Sequence, residues 1–320
     1  MALDPNIAFD AVRVAERAAL ACSRLIGKGD EEAADQVAVD AMRTVLNELP
    51  IAGRVVIGEG ERDEAPMLYI GEEVGTGDGP RIDIALDPLE GTTICATGGP
   101  GSLAVIAFAE DGGFLHAPDV YMDKIAVGDG LPDGIIDLDE APATNLANLA
   151  SAKGCAVSDL TALILARPRH DELIAKTHEA GARVHLIGDG DVAGVISTTR
   201  LNPEVDIYMG IGGAPEGVLA AAALQAIGGQ MMGRLLYRND DERGRAERIG
   251  ISDFERKYSM DDLAHGDVVF AATGVTTGTL LDGVQGEGGR ATTHSVVMSS
   301  ATGTLLKIRA EHNFARQGGA

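Results

Sequence analysis

Ile82-Asp83-Ile84-Ala85-Leu86-Asp87-Pro88-Leu89-Glu90-Gly91-Thr92-Thr93 is the stretch from which the rest of the chain can be read. Residues 82–86 alternate and predict a β-strand. Asp87 and Glu90 then bracket a proline turn, and a glycine and two hydroxyls follow. The acids therefore stand at the carboxyl end of a strand, where open α/β sheets place their ligands. Carboxylate and carbonyl oxygens suit Mg2+ or Mn2+, hard ions that also bind phosphate. The stretch predicts a metal-dependent phosphatase on an α/β fold. Taken alone, Asp-Pro-x-Glu is equally an ordinary strand-ending turn, since proline and acids are common in turns. The residues that follow favour the functional reading. Gly91 lets the backbone approach a ligand, and a helix starting at Thr92 would turn free N–H groups toward a phosphate oxygen. A threonine hydroxyl there is placed to orient or deprotonate a metal-bound water.

Working outward, residues 7–26 carry apolar side chains at helical spacing, with Gly27 as the stop. A second helix is expected over 31–49 and a short strand over 54–58. Residues 65–73 read as a short helix or an irregular connection. Residues 102–109 and 121–127 read as further strands of the same sheet, and 128–143, rich in Gly, Pro and Asp, as the loop between two halves. Past that loop the rhythm changes. Strands are expected at 160–166, 183–187 and 206–209, and helices at 171–180, 192–197 and 217–227, an alternation that predicts a parallel α/β layer. Residues 239–262 are charged and read as an exposed insertion. β-rich segments follow at 268–272, 292–298 and 303–309. The division falls at residues 1–142, a metal-binding α+β half, and 143–320, an α/β substrate half, together forming one catalytic unit.

Composition narrows the function. The chain has 320 residues, 45% of them hydrophobic, enough for a large core in one or two domains. There is no Trp and aromatics make up 3%, which argues against base-stacking or aromatic sugar platforms. The formal net charge of −23, from 49 acids against 26 bases, disfavours nucleic acid and anionic membranes as partners. It would also repel a phosphorylated substrate unless cations or local arginines reversed the sign at the site, which again points to a metal. Cys22, Cys95 and Cys155 are far apart in sequence and make neither a zinc-type pair nor a disulfide framework. The start of the chain lacks a signal-peptide pattern, and no run approaches the ~20 apolar residues of a membrane span. The chain reads as cytosolic. Ser102, Cys95 and His116 offer no recognisable nucleophile–base arrangement.

Further clusters repeat the strand-end theme. Gly58-Glu59-Gly60-Glu61-Arg62-Asp63-Glu64 follows a strand, and its glycines free the acids to turn inward, although most such runs are solvated loops. Asp35 lies on the second helix among small residues that would let it approach the sheet and face the metals; without the other clusters it reads as a helix-surface charge. Gly210-Ile211-Gly212-Gly213-Ala214-Pro215-Glu216-Gly217 reads as a strand-to-helix turn with Pro215 in the first helical turn and Glu216 at its positive end. It lacks the Lys-Ser/Thr of a Walker loop. Glu216 is either a helix-dipole charge or a metal ligand. Arg167-Pro168-Arg169-His170 and Asp189-Gly190-Asp191 each follow a strand. The arginines suit a clamp for a second, non-reacting phosphate, and the aspartates suit sugar hydroxyls. His170 reads as a helix cap or a solvated side chain.

As a set these motifs resemble the class II, GlpX-type fructose-1,6-bisphosphatases, within the lithium-sensitive, metal-dependent sugar and inositol phosphatase superfamily. The stretches VVIGEGERDEAPMLYIGEEVG, DPLEGTT, APDVYMDKIAVG, RPRHD, GDGDVAG, GIGGAPEGV, GRLL and ATGVTTGTLLDGV carry the resemblance over nearly the whole chain. It implies a layered α/β/α/β/α fold with a mixed N-terminal sheet and a smaller C-terminal α/β half. It implies Mn2+ or Mg2+ as cofactor, held by Asp35, Glu59, Asp87, Glu90 and Glu216. Glu61, Asp63 and Thr92 fall where the family activates water. Glu90, Gly91, Thr92, Tyr121, Arg167, Pro168, Arg169, Asp189, Gly190, Asp191 and Gly213 fall at substrate positions. A sugar bisphosphate is the implied partner, and a homo-oligomer, dimer or tetramer, the implied assembly. Glu31 stands where some relatives carry Lys, so any role for a base there is absent. Sedoheptulose 1,7-bisphosphate is a rival substrate with the same reacting end. An inositol or nucleotide phosphatase would not need the paired arginines. A non-enzymatic acidic cation-binding protein is the alternative from another class.

Overall fold

The apolar rhythm of residues 7–26 forms α1 (Ile7–Cys22), whose end tightens into a 3-10 turn at Ser23–Leu25. Gly27, at φ 71°, ends it. Asp30 caps α2 (Glu31–Leu46) by accepting from Ala33 N at 3.0 Å. This helix stops short of the expected residue 49, consistent with Pro50 disfavouring helical backbone before it. The chain continues through β1 (Ala52–Ile57), β2 (Glu73–Val74), β3 (Arg81–Glu90), α3 (Thr92–Thr97) and β4 (Leu103–Glu110). Next come β5 (Tyr121–Val127), α4 (Pro142–Lys153), β6 (Thr161–Leu165), α5 (Asp171–Glu179), β7 (Arg183–Ile187), α6 (Asp191–Ser197) and β8 (Ile207–Gly213). They are followed by α7 (Ala214–Ile227), β9 (Gln230–Leu236), α8 (Asp240–Arg248), β10 (Lys257–Ser259) and α9 (Met260–Leu263). The chain closes with β11 (Val268–Gly274), β12 (Gln285–Glu287), β13 (Arg290–Ser299) and β14 (Thr304–Asn313). The computed structural model describes residues 3, 4, 6–60, 67–199 and 204–314.

The fold is mixed α/β, built on two mixed sheets. The elements group into a first unit, Met1–Gly113 with Gly266–Ala320, and a second, Phe114–His265. The first unit holds an 8-stranded sheet ordered β12-β13-β11-β4-β3-β1-β2, with β14 on β13. β1 and β3 run parallel, and the other pairs run antiparallel. β11 is buried along its whole length because it lies between β13 and β4. α1 and α2 lay Val12, Val14, Ala15, Met42 and Leu46 against Ile82, Ile84, Ile106 and Phe108 of this sheet.

The second unit holds a 6-stranded sheet ordered β10-β9-β5-β8-β6-β7. Three expectations are corrected here. β5 does not belong to the sheet of β4; it pairs antiparallel with β8 and β9. The alternating segments do give parallel pairs, β6 with β7 and β8, but β5, β9 and β10 join antiparallel, so this sheet is mixed. Residues 128–141 form an irregular stretch inside this unit, and Pro142 opens α4. Residues 239–262 are not merely an exposed insertion. They contribute α8, edge strand β10 and α9, with Glu242, Ala246 and Tyr258 buried. Ile125, Leu146, Leu149, Leu160, Ile207 and Met209 form this unit's core. α7 is apolar nearly all round and buried from Gly217 to Leu224, as a helix without a polar face must be.

Candidate active site

In the first unit the acids are placed by a strand irregularity and by a pinned turn. β3 continues past Leu86 and includes the Asp-Pro-Leu-Glu run. Its register against β4 shifts between Asp87, opposite Val105, and Glu90, opposite Leu103. Residues three apart on a regular strand point to opposite faces. One extra residue restores the phase, so the bulge lets Asp87 and Glu90 serve one side. Asp87 Oδ1 accepts from Leu89 N at 3.1 Å, which fixes the turn. Glu90 is buried, and its carbonyl accepts from Ser102 Oγ at 2.9 Å. Gly91 sits at φ 78°, the left-handed region, and α3 starts directly after it at Thr92. A side chain at Gly91 would be strained there and would press on Ile94.

Glu59 is reached from the other side. Its N–H donates to Leu68 O at 3.0 Å, and Ile70 N donates to Gly60 O at 2.9 Å. Leu68 itself takes a positive φ of 53°. Its N–H is held by the buried Glu72 carboxylate, which also accepts from Arg43 Nε at 2.6 Å. α2 packs on α3 and β3, and Gly27 N and Gly29 N donate to Cys95 O and Ala96 O at 2.9 and 2.8 Å. These bonds fix the start of α2, so that half-buried Asp35 shares a hydrogen bond with Glu59. Burial, then the charges of Asp35 and Asp87, push the Glu59 carboxyl up to about 9. Burial also raises Asp35. Asp35, Glu59 and Asp87 thus lie within electrostatic reach of one another. Among the described residues, no group of three or more His, Cys, Asp or Glu side chains is gathered closely enough to hold a metal ion. Glu61 and Asp63 lie outside the described residues.

In the second unit, the glycine run 210–213 is strand rather than loop, and α7 follows it with Pro215 in its first turn. A Cβ at Gly212 would overlap Asp191 Oδ2 and one at Gly213 would overlap Glu216 Oε2, so the glycines make room for the site's own acids. Asp191 opens α6 and is buried. It pairs with Lys124, whose Nζ also donates to Gly213 O at 2.8 Å, while Tyr208 OH donates to Asp191 at 3.4 Å. Burial first, then Asp191, push Glu216 up to about 7, with Lys124 pulling the other way. Asp189 is exposed and accepts from Gly190 N at 3.1 Å; Gly190, at φ 85°, leads into α6. Arg167 is half-buried and Pro168 exposed. Arg169 Nε and Nη2 donate to Ile211 O at 3.1 and 2.8 Å, and its guanidinium lies 4.9 Å from the centroid of Tyr121.

His170 stands at the N-cap position of α5, but its side chain makes no capping bond and does not meet solvent. Its ring is buried, with Nδ1 2.7 Å from Leu165 O and Nε2 accepting from Ile211 N at 2.8 Å. It ties the end of β6 to β8 as a neutral ring, its pKa lowered chiefly by burial.

Residues 5–312 match the family model of the bacterial fructose-1,6-bisphosphatases encoded by glpX. The chain belongs to that family. It is 47% identical over 325 residues to the Fructose-1,6-bisphosphatase 1 class 2 of Escherichia coli (strain K12), covering 98% of this chain and 96% of that one. It is 43% identical over 337 residues to the D-fructose 1,6-bisphosphatase class 2/sedoheptulose 1,7-bisphosphatase of Synechococcus elongatus, covering 98% and 97%. The membership rests on the full length of a glpX-type fructose-1,6-bisphosphatase, so both units carry it. Within this family's frame, Asp35, Glu59, Asp87, Glu90, Gly91 and Thr92 belong to the first unit, and Tyr121, Arg167, Pro168, Arg169, Asp189, Gly190, Asp191, Gly213 and Glu216 to the second.

Sequence reasoning passed over Lys124 and the Arg43–Glu72–Leu68 brace. Lys124 had a signal: a lysine inside a mostly apolar strand must meet a polar or charged partner if it is buried. Leu68 had none, because nothing local marks a leucine for left-handed backbone.

Proposed function

We propose that the chain hydrolyses the 1-phosphate of fructose 1,6-bisphosphate, giving fructose 6-phosphate and phosphate, with Mg2+ or Mn2+ as cofactor. The observation that carries this reading is the match of residues 5–312 to the glpX-encoded bacterial fructose-1,6-bisphosphatases, beside which Asp35 and Asp87 lie within electrostatic reach of Glu59 and, with burial, raise its carboxyl. An all-oxygen, mutually repelling donor set suits a hard divalent cation. Asp35, Glu59, Asp87, Glu90 and Glu216 are the proposed ligands. A bound ion would lower the pKa of a coordinated water and offset charge on the phosphoryl oxygens.

Thr92, polarised by Glu61 or Asp63, orients the attacking water for in-line attack on phosphorus. Glu90, Gly91, Tyr121, Pro168, Asp189, Gly190, Asp191 and Gly213 contact substrate. Asp191, held by Lys124, acts from a fixed position. Arg167 and Arg169 anchor the 6-phosphate, which favours a bisphosphate over a monophosphate. We further propose a homo-oligomer in solution and a cytoplasmic location. Among the described residues no helix is long and apolar enough to cross a membrane.

The test is phosphate release from fructose 1,6-bisphosphate, with Mg2+ and Mn2+ supplied separately after chelation. Turnover that appears with either ion and is abolished by EDTA supports the reading. Absence of phosphate release from every sugar bisphosphate, with metal bound, overturns it and leaves the acidic cation-binding alternative. A second substrate is favoured by the name of the Synechococcus elongatus relative, which includes sedoheptulose 1,7-bisphosphatase. Comparing kcat/KM for the two bisphosphates decides between them.

A further inference from the structure

Arg238, just ahead of the charged run 239–262, places a second guanidinium on Tyr121. Tyr121 lies opposite Leu236 in the β5–β9 ladder, and Arg238 follows two residues on. Its guanidinium sits 5.0 Å from the Tyr121 centroid, matching Arg169 at 4.9 Å. Both are within the range of attraction between a cation and a ring face. Two like charges are thereby held no farther apart than the sum of those distances.

Both arginines are pinned along the same edge. Arg169 gives Nε and Nη2 to Ile211 O. Arg238 gives Nε to Glu242 Oε1 at 2.6 Å, with Nη2 2.5 Å from the same oxygen. Its backbone N–H donates to Glu242 Oε2 at 2.7 Å. Glu242 is only 2% exposed, and its own N–H is capped by Asn239 Oδ1 at 2.9 Å. Arg238 is therefore held in place, yet its side chain stays 60% exposed. Among the described residues, Nη1 of neither arginine has a protein partner. Each keeps its outer Nη1–Nη2 edge, the geometry that grips a phosphate with two parallel bonds. Arg245, on α8, donates to Asp119 O at 3.1 Å, and its buried Nε has no partner among the described residues. In a chain of net charge −23, two guanidinium groups thus meet at Tyr121, one of them paired with Glu242.

We infer that Arg238 is a second anchor for the non-reacting phosphate of the substrate, working with Arg169 on the common support of Tyr121, with Glu242 as its positioning residue. This rests on the bisphosphatase reading above. A plain i,i+4 ion pair between the residue ahead of α8 and its first turn would explain the contact with Glu242. It would not explain why the guanidinium is carried on the same tyrosine as Arg169 with its outer edge open.

The test compares wild type, Arg238→Ala and Arg238→Lys on fructose 1,6-bisphosphate and on fructose 1-phosphate, which lacks the far phosphate. Arg238→Ala should raise KM for the bisphosphate about ten- to a hundredfold, as expected for lost charge-assisted bonds. The change in kcat should be small, and the effect on fructose 1-phosphate much smaller. Arg238→Lys should recover part of the loss, since it keeps charge but not the paired bonds. Equal changes on both substrates, or no change in KM, overturn the inference. Should wild type turn over no bisphosphate, the activity reading fails first. The anchor is then judged by inorganic phosphate alone, which should raise the Tm of wild type more than that of Arg238→Ala. Equal shifts reject it. Glu242→Gln should raise KM for the bisphosphate by a smaller factor than Arg238→Ala; no KM effect would deny Glu242 the positioning role.

Discussion

A single carboxyl decides the acid–base behaviour of the first unit. Glu59 holds its proton up to about 9 in the folded chain against 4.5 for an ordinary Glu, through burial and the nearby charges of Asp35 and Asp87. Between those values the folded state binds more protons than the unfolded one, so the metal-free protein loses stability as pH rises through this window and levels off above it. Glu59→Gln, which mimics the protonated form, should flatten that slope while abolishing turnover. Tm measured against pH in chelator tests it, and identical slopes in both proteins would remove Glu59 as the source. Glu90→Ala should also abolish turnover, and near-normal activity at saturating Mn2+ would rule out its ligand role. The acidic motif was legible because Asp, Glu, Gly and Thr at a strand end have few other uses in combination. The Glu59 shift was not, since it depends on neighbours distant in sequence.

At the scale of elements, the strand β8 and the helices α6 and α7 are fixed by one buried ion pair. Lys124 is 1% exposed, and it serves both Asp191 and the Gly213 carbonyl. Lys124→Met should cost ~3–5 kcal/mol, because it leaves Asp191 buried without its cation. Adding Asp191→Leu should recover much of that loss. Urea unfolding of the three proteins measures both effects; a neutral Lys124→Met would show the pair to be incidental. Gly91→Ala should cost ~1–2 kcal/mol from left-handed backbone, with a larger fall in kcat because the residue joins Glu90 to Thr92. The expected strands and helices were mostly found within a few residues. The placement of β5 was missed because its apolar pattern is the same whichever sheet receives it.

For the whole molecule, the first unit is completed only by the last part of the chain. β11 stands between β13 and β4, and β4 is buried at all but its final residue. A chain ending at residue 265 should aggregate, having lost the partner of β4 and left an apolar edge open. Residues 114–265 alone should melt cooperatively, since they carry their own sheet and core. Size-exclusion chromatography and thermal melts check both, and a soluble monomeric 1–265 fragment would contradict the argument. The change of rhythm after residue 143 was visible as alternation, whereas the return of β11–β14 to the first sheet was not. Cys22 and Cys95, far apart in sequence, likewise come together, with the Cys95 thiol donating to Cys22 O at 4.0 Å.

The sequence by itself determined the α/β class, the family and the identity of the acidic and basic side chains at strand ends. Periodicity, turn chemistry and motif are local properties that survive without coordinates. Only the tertiary structure decided which sheet each strand joins, that Asp35 meets Glu59, that Lys124 neutralises Asp191, and that Arg169 and Arg238 rest on one tyrosine. Those are pairings between distant parts of the chain, set by packing and by the cost of burying charge alone.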